Sequence, residues 1–123
     1  MEKIIFTTKV LGPIASYRLE NFGVTQTIRS ESSSIVGAIL SGRIKVGDQI
    51  QIFLDDRMIE LAQFVIMDSL LFDMLDEEDA HRGGFDSVEE MATALKRAGY
   101  RFKPVNSYWF HRIQFTWKEK EYA

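Results

Sequence analysis

Cysteine is absent from the chain, which excludes disulfides, thiolate metal sites and a cysteine nucleophile and fits a reducing compartment. Histidine is nearly absent too. His81 and His111 fall in different expected elements, and the acids near them stand at helix-capping spacing, so no metal site is expected. There is no Pro- or Gly-rich linker, no repeat and no low-complexity tract. No apolar run is long enough to span a bilayer, and the stretch opening Met1-Glu2-Lys3 is too short and too soon acidic for a signal peptide. A soluble, cytoplasmic protein with no membrane contact is expected. A serine nucleophile elbow, a phosphate-binding glycine loop and a dinucleotide-binding fingerprint are all missing, and no cofactor is expected.

What is present is ordinary in amount. The 123 residues, 46% apolar and 27% charged, suffice for one folded domain over 1–123 with a core of its own. A net charge of −3 argues against an indiscriminate grip on nucleic acid. The charge is unevenly spread: residues 58–95 carry ten acids against Arg82 alone, whereas residues 96–123 carry seven bases against Glu119 and Glu121. Two solvated faces that attract each other and a functional basic patch fit this asymmetry equally well.

The pattern predicts a strand over Ile4–Thr8, a segment broken at Gly12-Pro13 with a short helix around Ile14–Leu19, and a strand over Thr25–Arg29. Ser32-Ser33-Ser34 can cap a helix through Ile35–Leu40, and Gly47-Asp48 turns the chain. Ile50, Ile52 and Leu54 alternate with Gln51 and Phe53, and Asp55-Asp56 turns into a strand over Met58–Met67. Asp76 with Asp79 starts one helix, which Gly83-Gly84 stops. Ser87-Val88-Glu89-Glu90 reads as a capping box for a second, ended by Gly99. Ser107–Trp117 is the last strand, with Trp109, His111, Ile113, Phe115 and Trp117 on one face. This order predicts an α+β fold, a small closed or half-closed barrel with flanking helices, in which the first and last strands pair to remove exposed edges.

Three blocks carry a family likeness: Gln26-Thr27-Ile28-Arg29-Ser30-Glu31, Lys45-Val46-Gly47-Asp48-Gln49-Ile50, and Leu75 to Ser87 with its Ala80…Gly84-Phe85 core. In this order and spacing they resemble the ASCH family, small β-barrel domains of the PUA-like group, over about Thr25 to Phe115. The resemblance implies a PUA-like barrel and a cleft, lined by the Thr27-x-Arg29 element, for RNA or a nucleoside-like ligand. The Ser32–Ile44 segment reads as an insertion able to lid that cleft.

Arg29 offers planar two-point geometry to a phosphate or to the acceptor edge of a base. Read by itself it is better explained as a surface or structural Arg paired with Glu31 or another acid, and only the resemblance reverses that balance. Ser30 and Glu31 extend the polar cluster, and Arg43 and Lys45 are candidates for phosphates at the cleft rim. Tyr108 and Trp109 are candidates for stacking a base. Some ASCH-like proteins are amidohydrolases that act on acetylated cytidine with a Lys, a Thr and a Glu. The likeness puts the Thr at Thr27, but the Lys position on Val24 and the Glu position near Gly83, so no catalytic residue is assigned. The expected function is an RNA- or modified-nucleotide-binding module. A small nucleoside or RNA hydrolase is the alternative, and a domain joining a protein partner through its charge asymmetry is a third.

Overall fold

The computed structural model describes residues 1–100 and 109–118. Strand β1 (Lys3–Phe6) leads into helix α1 (Thr8–Glu20), followed by β2 (Gln26–Arg29), α2 (Ser34–Leu40) and the hairpin β3 (Gln49–Leu54) and β4 (Arg57–Leu71). A 3₁₀ turn (Phe72–Met74), α3 (Glu77–Arg82), α4 (Val88–Arg97) and β5 (Trp109–Trp117) complete the order.

The five strands form one curled sheet in the order β1-β3-β4-β5-β2, with β1 parallel to β3 and the other pairs antiparallel. The fold is α+β, a half-barrel with helices packed on both faces. The first and last strands do not pair, contrary to the expectation. β5 lies between β4 and β2, so the two free edges belong to β1 and β2. The long β4 explains this: its fifteen residues pair with β3 at one end and with β5 from Ala62 to Leu71, which draws the last strand to the side of the hairpin away from β1.

Strand alternation divides the core. Ile4, Phe6, Ile50, Ile52, Leu54, Phe64, Ile113, Phe115 and Trp117 fill the concave face together with Leu11, Ala15 and Leu19 of α1. Ile28, Leu70 and Phe110 point the other way, onto Leu75, Ala80, Met91 and Leu95 beneath α3 and α4. Removing this apolar surface from water supplies the main drive for folding, about 25 cal/mol per Å². Ser32–Ile44 is not a lid: Ile35, Val36, Ala38 and Ile44 are buried in the concave core, so the segment plugs the barrel. Ser33 holds the N-cap position of α2, but its side chain makes no capping bond.

The break expected at Gly12-Pro13 is a kink inside α1, where Gly12 takes a left-handed φ of 79° and Pro13 starts the second helical stretch. Asp76 and Asp79 form the reciprocal box at the start of α3. At α4 the box is one-sided: Ser87 accepts from the Glu90 N–H, while the Glu90 carboxylate accepts from the Asp86 N–H one residue too early. Among the described residues no helix is long and apolar enough to cross a membrane.

Candidate functional site

β2 is the strand that organises the site. It is an edge strand four residues long, and its register against β5 pairs Thr27 with Ile113 and Arg29 with His111. Paired residues share a sheet face, so Thr27 and Arg29 look onto the concave side and Gln26 and Ile28 onto the side of α3. Where the two free edges face each other, a pocket of about 270 Å³ opens between β1, β2, α1 and α4. Phe6 and Leu11 line it from one core and Ile28, Met91 and Leu95 from the other. Thr27, Arg29, Gln26, Asp79 and Tyr100 supply its polar groups.

Arg29 is half-buried and bonded to neutral acceptors only. Its Nε donates to Thr27 Oγ1 at 2.9 Å, its Nη2 donates across the seam to the Ile5 carbonyl at 3.0 Å, and its guanidinium lies 5.2 Å from the centre of the Phe6 ring. No carboxylate among the described residues lies within ion-pair distance of it, so the expected alternative of a pair with Glu31 is not what the geometry presents. Burial depresses the basicity of the guanidinium, with Tyr100 acting in the opposite direction. A desolvated cation with unsaturated donors attracts an anion or the acceptor edge of a base.

Asp79 is 1% exposed and answers to a different network. Gln26 Nε2 donates to it at 2.9 Å, Arg112 Nη1 at 3.0 Å and the Asp76 backbone N–H at 3.1 Å. Burial works to raise its carboxyl, but these hydrogen bonds and the Arg112 charge outweigh burial and hold it below the ordinary carboxylate range. Arg112, fixed on its other side by Asp68, is pushed above its usual value by those hydrogen bonds. Asp79 is therefore a charged anchor tying α3 to β2 and β5, and its capping spacing in the sequence showed only one of these tasks. Part of the uneven charge distribution closes on itself here, through Arg112 with Asp68 and Asp79.

The remaining candidates are scattered. The Ser30 N–H donates to the Tyr100 hydroxyl at 3.1 Å, and Ser30 Oγ meets Ser32 Oγ. Glu31 lies 3.8 Å from His111 Nε2. Arg43 pairs with Glu2 and lines a separate recess with Asp48 and Gln49, and Lys45 sits in a turn held by Asp48. Neither joins the Arg29 pocket. Trp109 is 57% exposed at the start of β5, on the same face as His111. Tyr108 lies outside the described residues. Of the positions carried over from the amidohydrolases, Val24 is wholly buried in the core and Gly83 lines the pocket. No cluster of three or more His, Asp or Glu side chains able to hold a metal occurs among the described residues.

Sequence reasoning did not single out Tyr100, Gln26 or the row Arg29, His111, Ser69, which adjacent strands place side by side. His111 is 6% exposed, and its Nδ1 stands 3.1 Å from Ser69 Oγ. Only the strand register brings residues 29, 69 and 111 together.

Solved structures share this architecture, two bacterial proteins among them. A crystal structure of a DUF984 protein from Enterococcus faecalis V583 superposes with a TM-score of 0.64 at 18% identity, over 96% of this chain and 81% of that one. The ASCH domain from Lactobacillus crispatus JV V101 superposes with a TM-score of 0.59 at 14% identity, over 85% of this chain and 69% of that one. No family model matches the chain, and no curated protein matches it in sequence. The fold is the ASCH/PUA-like fold that the three sequence blocks resemble.

Proposed function

We propose that the chain is a non-catalytic module that binds RNA or a modified nucleotide in the pocket around Thr27 and Arg29. The observation that carries this reading is the Arg29 guanidinium: partly desolvated, bonded to a hydroxyl, a carbonyl and a ring face, and without a neutralising acid among the described residues. The apolar walls suit the faces of a base and the guanidinium suits a phosphate or a base acceptor. Trp109 offers an exposed ring on the concave side. The test is a gel shift with labelled single-stranded RNA at low salt. Wild type shifts the RNA, Arg29→Ala does not, and unchanged affinity in a folded Arg29→Ala protein defeats the proposal.

One observation favours a second reading, a small hydrolase of a nucleoside or RNA. Ser69, His111 and Glu31 form a chain in which an imidazole contacts a hydroxyl on one side and approaches a carboxylate on the other. Turnover on a panel of acylated nucleosides and RNAs that His111→Gln removes supports it. Intact substrates throughout leave the binding reading alone.

A further inference from the structure

Beside the pocket, the concave face of the sheet stays open to solvent. Register places Arg29 of β2, His111 of β5 and Ser69 of β4 in one row across the strands, and Trp109 and Leu71 form the next row out. Side chains alternate along each strand, so all five look to the same side. His111 is the floor of this ledge and nearly buried, whereas Ser69 is exposed and Trp109 is more than half exposed. Arg29 belongs to both places, since it lines the pocket and heads the row.

The chemistry of the ledge differs from that of the pocket. Neither row adds a Lys or Arg to Arg29, and Glu31 stands 3.8 Å from His111 Nε2, so nothing there neutralises a further phosphate. What the ledge offers is a π face and a hydroxyl. An exposed indole leaves apolar surface in water, which a stacked base removes. Ser69 Oγ keeps an acceptor position beside its bond to His111 Nδ1, enough for a sugar hydroxyl. Neighbouring strands lie about 4.8 Å apart and alternate residues of one strand about 6.7 Å apart, which separates the Cα atoms of Arg29 and Trp109 by roughly 8 Å. That offset is on the order of one nucleotide of an extended strand.

We infer that the ligand is a single RNA strand rather than a free nucleotide: one nucleotide occupies the pocket at Arg29, and its neighbour stacks on Trp109. The inference rests on the nucleotide-binding reading and deepens it. The pocket of about 270 Å³ has room for one nucleoside-sized group, so a free nucleotide engages it alone. A strand adds the ledge, and stacking on an aromatic face is tolerant of sequence because every base has such a face. Arg29 then supplies the charge contact and Trp109 the increment that depends on chain length.

Calorimetric titration of the whole chain with AMP, CMP and UMP and with the matching single-stranded RNA tetramers tests it. The tetramer binds tighter than its mononucleotide by about tenfold or more, and Trp109→Ala brings the two within about fourfold, the range that alternative registers of a tetramer supply by themselves. Trp109→Phe keeps a ring and retains most of the advantage. Tryptophan emission gives a readout that needs no variant: the tetramer quenches the exposed Trp109 more than the mononucleotide does, and the buried Trp117 contributes no such change. Equal affinities in wild type, or an advantage unchanged in a folded Trp109→Ala protein, overturn the inference. If Trp109→Ala does not fold, the quenching decides, and equal quenching by tetramer and mononucleotide overturns it. Binding of mononucleotide and tetramer alike, lost in Arg29→Ala, defeats this inference and leaves the nucleotide-binding reading standing. Binding of neither defeats both.

Discussion

Arg29 reaches from one free edge of the sheet to the other, its Nη2 donating to the Ile5 carbonyl at 3.0 Å. A side chain thus spans the seam that a closed barrel would fill with backbone bonds. The same guanidinium is the cation of the pocket, so the group that joins β1 to β2 is also the group offered to a ligand.

Arg29→Met follows from this double task. The substitution forfeits two hydrogen bonds to neutral acceptors and removes the cost of burying an unneutralised charge, two effects of opposite sign. Stability is expected to change by less than about 1 kcal/mol in urea titration, while RNA or nucleotide binding disappears. A large loss of stability would make Arg29 a structural strut first.

Thr27→Val keeps the shape of a buried side chain and deletes the acceptor for Arg29 Nε. The guanidinium then loses its orientation but not its charge. Affinity is expected to fall by about fivefold, matching a net hydrogen bond of about 1 kcal/mol, with the fold retained. A titration of wild type and variant side by side measures it.

Gly84→Ala tests the packing behind the pocket. Gly84 has a φ of +91°, and a Cβ there would stand 2.8 Å from Val24 Cγ2. Strained backbone and overpacking act together, and a loss on the order of 1–3 kcal/mol is expected in thermal or urea unfolding. Gly47→Ala, at a comparable positive φ with nothing within 4 Å, isolates the backbone part.

Asp79 predicts an acid limb. Its carboxyl is depressed in the folded protein, so as pH is lowered the unfolded chain takes up the proton first and stability falls. The contribution is complete above the ordinary carboxyl value of about 3.9 and is lost as pH drops from there through the folded value. Asp79→Asn should destabilise the protein at pH 7 and flatten its stability between about pH 2 and 4 relative to wild type. Urea midpoints across that range check both effects, and parallel curves would show that another acid sets the limb.

Much of the fold was legible in the chain because it depends on local periodicity. The alternation Ile50, Ile52, Leu54 is buried as read, the Asp76/Asp79 box is formed, and Gly83-Gly84 ends α3. The kink in α1 was legible as a break, since Gly12 and Pro13 act through their own φ preferences. The strand neighbours were not legible. Which strand lies beside β5 depends on how far β4 extends past Met67, and ordinary strand residues there carry no mark of it.

The site divides along the same line. The sequence by itself determined that Thr27 and Arg29 share a strand face, because side chains alternate along a strand whatever surrounds it. It also determined the starts of α3 and α4, because capping there is a contact between residues three apart, whereas the start of α1 at Thr8 fell inside the strand read from the sequence. Only the tertiary structure decided that Arg29 faces Phe6 and the Ile5 carbonyl, that Arg43 and Lys45 lie elsewhere, and that Gln26 is turned by Asp79 with its oxygen unpaired among the described residues. These contacts join residues separated by tens of positions, and their partners are fixed by which elements pack together.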